Sequence, residues 1–164
     1  RLIGLQRPVA AFGAVLFAVS RELWENSTAV EVYSLHAALT AAVLLAKLFA
    51  EPRAPGAGFW DQSLVASRLV EYETWNRVHA RNLEASHGEA ARALLGRLAL
   101  LEMTPLVLAR ALEPFPTPVK TLDGLHLASL RFLKERDPSI RLATYDTQLA
   151  AAARKLGFHV ETPS

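Results

Sequence analysis

The sequence contains no cysteine among its 164 residues. A disulfide framework, a thiolate metal site and a cysteine nucleophile are therefore excluded, and the absence is typical of a cytoplasmic protein. The chain also lacks a glycine-rich phosphate loop, which argues against a small-molecule-binding α/β domain of the nucleotide-binding type.

Long hydrophobic runs are also absent. The run at 8–19 is twelve residues long, and the run at 35–50 is interrupted by His36 and Lys47. A membrane-spanning helix needs about 20 apolar residues, so we expect no contact with a membrane. The first run resembles the core of a signal peptide, but no small-residue cleavage site follows it.

Neither sign of charge dominates the composition. Eighteen Lys and Arg residues against sixteen Asp and Glu residues give a net charge of +2. This balance permits contact with nucleic acid without requiring it. Hydrophobic residues make up 51% of the chain, and the length is that of one domain with a substantial core.

From residue 60 onward, short apolar runs alternate with amphipathic segments. Strands are predicted at 63–67, 98–104, 140–146 and 158–161, and helices at 68–83, 86–99, 105–112, from Thr121, and 147–157. This order predicts an α/β fold with a central parallel sheet and helices on both of its faces.

Local signals give the helices their expected ends and buried sides. Ser86 and Glu89 have the spacing of a capping box, Thr121 can cap the helix that follows it, and Gly157 can end the last helix in a left-handed conformation. One side of the helix at 68–83 is expected to carry Leu69, Tyr72, Trp75, Asn76 and His79. The expected buried stripe of the helix from Thr121 comprises Leu122, Leu125, Leu127, Leu130 and Leu133.

Three acidic residues have reason to converge in such a fold. Ligands collect beyond the carboxyl ends of parallel strands, where Asp146 closes a predicted strand and Glu73 lies on a helix entered from another. Asp123 lies near the start of the otherwise apolar helix "TLDGLHLAS". An isolated charge is costly in an apolar setting, and Mg²⁺ or Mn²⁺ bound by carboxylate oxygens would remove that cost.

Three segments resemble motifs of the PIN-domain family, the VapC-type toxins in particular. They are "SRLVEYETWNRVHAR" (67–81), "KTLDGLHLAS" (120–129) and "LATYDTQLAAAARKLG" (142–157). The resemblance covers residues 43–162 and implies a PIN-like three-layer α/β/α fold with four to five parallel strands. It implies a metal-dependent endoribonuclease with catalytic and metal-binding Glu73, Asp123 and Asp146, supported by Thr144. It also implies a small antitoxin partner and a homodimer.

The chain departs from that family at its first motif. The aspartate that closes the first strand in PIN domains should stand where this sequence has Thr40. One reading is genuine loss, which would leave an impaired nuclease. The other is that residues 1–42 are of non-native, frame-shifted origin, because the codons for "LTAA" can conceal Asp-Ser-Ser in the neighbouring frame.

Other readings of single residues stay open. Asp123 can interact favourably with the helix dipole, Asp146 can cap the following helix, and Glu71 competes with Glu73 for the face toward the site. A lone His126 amid leucines is expected to pack and to form hydrogen bonds beneath its helix. Residues that can hold RNA phosphates, or simply keep the surface soluble, are Arg68, Arg77, Arg81 and Lys120.

The sequence therefore predicts a cytoplasmic PIN-type endoribonuclease that uses Mg²⁺ or Mn²⁺ and forms the toxin half of a type II toxin–antitoxin pair. The alternative is a non-catalytic PIN-fold module that binds RNA or a protein partner. The missing aspartate at Thr40 keeps both readings open.

Overall fold

The computed structural model describes residues 37–163, which form five short strands and seven helices. The strands are β1 (Ala37–Leu39), β2 (Leu64–Ser67), β3 (Ala99–Leu101), β4 (Arg141–Ala143) and β5 (His159–Glu161). The helices are α1 (Ala41–Leu48), α2 (Ala57–Trp60), α3 (Leu69–Ala80), α4 (Glu84–Leu95), α5 (Pro105–Ala111), α6 (Thr121–Lys134) and α7 (Thr147–Lys155).

The segment predicted to be non-native, residues 1–42, lies mostly outside the described residues. Its last part contributes β1 and the start of α1 to the fold. The boundary between residues 42 and 43, and the origin of the residues before it, stay predictions.

All five strands run parallel, in the order β3-β2-β1-β4-β5. The chain moves outward from β1 through β2 to β3, and then returns to the other side of β1 to form β4 and β5. The order thus reverses between β1 and β4, and ligands bind parallel sheets in the crevice beyond the carboxyl ends of the strands at such a point. Thr40 follows β1 and Thr144 follows β4 at this place.

Apolar side chains on both faces of the sheet make the core. Every residue of β2 is buried, as is usual for a strand covered on both sides. Val43 and Leu44 of α1 pack with Val70 of α3 in one buried cluster, and Leu127, Leu130 and Leu133 of α6 are also buried. The prediction of a PIN-like three-layer α/β/α fold with a parallel sheet of four to five strands is confirmed.

The buried side of α3 differs from the predicted one. Val70, Thr74 and Val78 are the buried residues of this helix, whereas Tyr72 is 64% exposed. Thr74 tolerates burial because its hydroxyl donates a hydrogen bond to the carbonyl oxygen of Val70, at 2.7 Å. The aromatic Tyr72 therefore does not mark the buried side of α3. Thr74 occupies the core instead, with its hydroxyl hydrogen-bonded.

Two predicted helix caps are wrong. Helix α4 begins at Glu84, ahead of Ser86, and the Ser86 hydroxyl contacts the Leu83 carbonyl and the His87 ring rather than capping the helix. Thr121 is the first residue of α6, where Lys120 takes the cap position without a side-chain hydrogen bond. On the same helix, Leu122 is 41% exposed and does not join the buried stripe.

Gly157 confirms its predicted role, because its φ of 77° is the left-handed conformation that follows α7. Within residues 37–163, none of the helices has the length and apolar character that crossing a bilayer requires.

Candidate active site

Two threonines join the carboxyl ends of β1 and β4. The buried hydroxyl of Thr40 donates to the hydroxyl oxygen of Thr144 at 3.2 Å, and Thr144 Oγ1 also accepts the backbone N–H of Asp146 at 3.1 Å. Thr144 therefore ties the end of β1 to the turn that presents Asp146. Thr40 occupies the cap position of α1, yet its side chain makes no cap hydrogen bond.

Asp146 lies three residues beyond the end of β4, rather than being the last residue of a strand as predicted. Its Oδ1 accepts the backbone N–H groups of Gln148 and Leu149, at 2.8 and 2.9 Å, and so caps α7. Within the described residues its second carboxylate oxygen accepts no hydrogen bond. One oxygen thus holds the carboxylate in place while the other is free for a ligand.

Asp123 lies in the first turn of α6 and is partly buried. Burial raises the pKa of its carboxyl group above the usual 3.8, and the neighbouring charges of Asp146 and Glu73 raise the pKa further, while Lys120 and His126 oppose the shift. Because Asp146 and Glu73 both influence Asp123, the fold brings each of these two carboxylates within electrostatic range of Asp123.

Glu73 contacts the histidine that follows Asp123 by one helical turn. Its Oε2 is 3.0 Å from His126 Nε2, whereas Glu71 forms an ion pair with Arg68 at 3.0 Å. His126 Nδ1 is in turn 2.9 Å from the hydroxyl of Ser67, the last residue of β2. The expectation that His126 forms hydrogen bonds beneath its helix is confirmed, and Ser67 is a partner that the sequence interpretation did not identify.

A three-ligand metal centre is not preformed in the described part of the chain. Among residues 37–163, no three or more His, Cys, Asp or Glu side chains are grouped so that they could hold a metal ion together. The sharing of one cation by Glu73, Asp123 and Asp146 therefore stays a prediction. Mg²⁺, however, often binds through only one or two carboxylates and completes its shell with waters and substrate phosphates.

A cleft of about 240 Å³ opens beside Asp123. Lys120 and Gln148 supply its polar groups, and Pro118, Val119 and Leu149 form the rest of its lining. The cleft therefore places an exposed ammonium group and an amide next to a carboxylate.

The four predicted phosphate-binding cations have different surroundings. Arg68 forms ion pairs with Glu71 and Glu102, and these raise the pKa of its guanidinium group. Arg81 lies over the ring of Phe49, at 4.5 Å from its centroid. Arg77 is exposed on α3, and Lys120 is exposed at the cleft. Lys120 is therefore the cation that lies beside Asp123.

Comparison with known proteins finds one relative of similar sequence. Ribonuclease VapC47 of Mycobacterium tuberculosis (strain CDC 1551 / Oshkosh) is 33% identical over 87 residues, which are 53% of this chain and 62% of that protein. The match spans less than two thirds of that relative's length. In addition, the family model for the N-terminal domain of the protein O-mannosyl-transferase TMEM260 matches residues 4–65, less than half of this chain, and includes none of the three carboxylates.

Two solved structures share the fold. PAE2754 of Pyrobaculum aerophilum superposes with a TM-score of 0.51 at 20% identity, over 78% of this chain and 92% of its own. A chain from a toxin–antitoxin complex of Klebsiella pneumoniae superposes with a TM-score of 0.54 at 17% identity, over 78% of this chain and 98% of its own. At these identities the likeness establishes the fold alone.

Proposed function

We propose that this chain is a PIN-type endoribonuclease that depends on Mg²⁺ or Mn²⁺ and is weakened at its metal site. The observation that carries the proposal is the cleft beside the point where the strand order reverses: Asp123 lines it together with Gln148 and Leu149, whose amides Asp146 caps. The partial match to a ribonuclease of the VapC type supports it. Burial and the charges of Asp146 and Glu73 raise the pKa of Asp123, and a carboxyl group perturbed in this way in a cleft is characteristic of functional sites.

The donor set fits a divalent cation held by two carboxylates. Asp123 accepts no hydrogen bond from the described residues, and one oxygen of Asp146 is free, so these two side chains would be the direct ligands. Glu73, held by its hydrogen bond to His126, would be a further ligand of the ion. When bound, the ion supplies an activated water and offsets the charge that develops on the phosphodiester.

The remaining groups would orient the RNA. Lys120 would bind a backbone phosphate at the mouth of the cleft, because its ammonium is exposed beside Asp123. Arg77 and Arg81, on or next to α3, would contribute more distant phosphate contacts. Arg68 is the weakest candidate, since its guanidinium already has two carboxylate partners.

The test is cleavage of a labelled, structured RNA by the purified chain in Mg²⁺ or Mn²⁺. We expect cleavage that EDTA abolishes and that Asp123→Asn reduces at least tenfold. The matched control is Asp61→Asn, because the Asp61 side chain is 78% exposed and its carboxylate is as far as 4.0 Å from the Arg97 guanidinium. Equal cleavage by the two variants, or cleavage that persists in EDTA, would overturn the proposal.

A second candidate follows from Thr40 and from the lack of a three-ligand group in residues 37–163. In this alternative the chain is a non-catalytic PIN-fold module that binds RNA or a protein. Calorimetry that detects no Mn²⁺ binding, together with RNA binding without cleavage, would favour it.

We also propose the partners and origin that such a function implies. The VapC-type relative and the toxin–antitoxin neighbour support a small antitoxin partner. A homodimer and a cytoplasmic site of action are further parts of the proposal. The nucleotide sequence tests two of these points together. It would reveal a short upstream antitoxin gene, and an adjacent-frame aspartate codon at Thr40 would support the frame-shifted origin of residues 1–42.

A further inference from the structure

His126 links three separate elements of the fold at the candidate site. Its side chain is only 9% exposed, and its two ring nitrogens contact Glu73 of α3 and Ser67 of β2, at 3.0 and 2.9 Å. The ring stands one helical turn after Asp123 on α6. Ser67, His126 and Glu73 therefore form a continuous chain of hydrogen bonds, which we call the Ser-His-Glu relay.

The chemistry of Glu73 and Ser67 determines which atom donates and which accepts in each hydrogen bond of this relay. An ionised Glu73 carboxylate can only accept, so His126 Nε2 carries a hydrogen and donates it to Glu73. In the neutral ring Nδ1 is then an acceptor, and the Ser67 hydroxyl donates to it. The hydrogen bonds consequently select the Nε2–H tautomer of His126.

The relay does not present a serine nucleophile. Ser67 is 5% exposed, so a substrate cannot approach its hydroxyl oxygen. Glu73, in contrast, keeps 25% of its side chain exposed, and its Oε1 accepts no hydrogen bond from the described residues. The accessible end of the relay is therefore the Glu73 carboxylate.

We propose that His126 is a positioning residue that holds Glu73 at the cation site, with the Ser67 hydroxyl donating to the other ring nitrogen. This inference rests on the proposed function. A glutamate side chain has several rotatable bonds, and without the contact to His126 Glu73 can swing away from Asp123. Loss of such an outer hydrogen bond typically lowers metal affinity about 10–100-fold.

Two substitutions separate positioning from simple packing. The amide nitrogen of glutamine can take the place of imidazole Nε2, so His126→Gln keeps a donor to Glu73. The shorter asparagine reaches only the place of Nδ1, so His126→Asn keeps a partner for Ser67 and loses the donor to Glu73. His159→Asn is the control, because His159 is exposed on β5.

The first measurement is the affinity for Mn²⁺ alone, determined by electron paramagnetic resonance on the full chain. We expect His126→Asn to bind about 10–100-fold more weakly than wild type. His126→Gln should stay within about threefold of wild type, and His159→Asn should equal it. Wild-type affinity in His126→Asn, or equal losses in the Asn and Gln variants, would overturn the positioning role while leaving the ribonuclease proposal intact. A wild-type chain that binds no Mn²⁺ would overturn both.

The second measurement needs neither metal nor activity. A long-range proton–nitrogen correlation spectrum of the histidine rings, recorded at mildly alkaline pH without metal, should assign the Nε2–H tautomer to His126. Glu73→Ala, which removes the acceptor of the Nε2–H group, should convert this signal to a mixture of tautomers, whereas Ser67→Ala should keep the Nε2–H form. An Nδ1–H tautomer in the wild-type chain would contradict the relay.

Discussion

Replacing Thr40 with aspartate would add a carboxylate to Asp123, Asp146 and Glu73, at the junction between β1 and the Asp146 turn. The side chain at this position is 6% exposed and contacts Thr144, whose hydroxyl could donate to the new carboxylate. Thr40 makes no cap hydrogen bond to α1, so an aspartate that accepts amides of the first turn should gain about 1 kcal/mol.

Electrostatic repulsion opposes this gain when no metal is bound. An aspartate at position 40 would lie near Asp146, because Thr144 contacts both positions. Two such unit charges about 6 Å apart repel by about 3 kcal/mol at an effective dielectric constant of about 20. The net effect for Thr40→Asp is therefore a loss of about 2 kcal/mol. In a chain of this size, that loss lowers the melting temperature by roughly 4–8 °C.

A bound divalent cation should turn this loss of folding stability in Thr40→Asp into a gain. If the added carboxylate brings the dissociation constant to about one hundredth of the Mg²⁺ concentration, binding stabilises the folded chain by about 2.7 kcal/mol. The variant should then melt at or above the wild-type temperature, and RNA cleavage should rise. Thermal unfolding in EDTA and in excess Mg²⁺ measures both states.

Thr40→Asn is the matched control, because asparagine caps a helix as well as aspartate but carries no charge. It should gain about 1 kcal/mol of stability and respond to Mg²⁺ as the wild type does. If Thr40→Asp responds to Mg²⁺ no more than Thr40→Asn, the position of Thr40 at a cation site is refuted.

Three further substitutions test the charge, the cap and the core. The raised pKa of Asp123 means that the folded state binds its proton more tightly than the unfolded state, so the stability it contributes is present below pH 3.8 and is lost as the pH rises through the folded pKa. Asp123→Asn should therefore raise the metal-free melting temperature at pH 7, with a difference that vanishes in acid. Asp146→Ala should cost about 1 kcal/mol in urea unfolding through loss of the α7 cap, whereas Asp146→Asn should retain that cap. Leu127→Ala should cost about 2–5 kcal/mol because Leu127 is fully buried, against about 0.5 kcal/mol or less for Leu112→Ala at an 89% exposed position.

Signals in the local sequence were sufficient to predict most of the fold. Strand β2, helix α5 behind Pro105, and the left-handed Gly157 depend on short-range chemistry, and each occurs where the sequence predicted it. The parallel arrangement followed from the alternation of strands and helices. The predicted cap of α7 by Asp146 also formed, since it needs only two neighbouring amides.

Features that depend on tertiary contacts were predicted less well. The Ser86 cap failed because α4 begins two residues earlier, after Asn82 adopts a φ of 53°. The buried side of α3 was misjudged because a hydrogen-bonded Thr74 enters the core while Tyr72 does not. Hydropathy cannot reveal whether a buried hydroxyl finds a partner.

At the candidate site, too, the features set by local sequence were predicted and those set by tertiary contacts were not. The residue types and their positions at the ends of elements indicated Asp123, Asp146 and Glu73, and the fold brings the charges of Asp146 and Glu73 within range of Asp123. The partners of His126 could not be read from the sequence, because Ser67 and Glu73 are separated from it by 59 and 53 residues. Only the packing of α6 against β2 and α3 brings the three side chains together.

The most direct test of a cation site at this sheet edge is anomalous diffraction from crystals grown in Mn²⁺. The proposed function predicts an anomalous peak within about 2.5 Å of carboxylate oxygens of both Asp123 and Asp146. Well-ordered crystals with Mn²⁺ bound elsewhere, or with no peak between these two side chains, would contradict it.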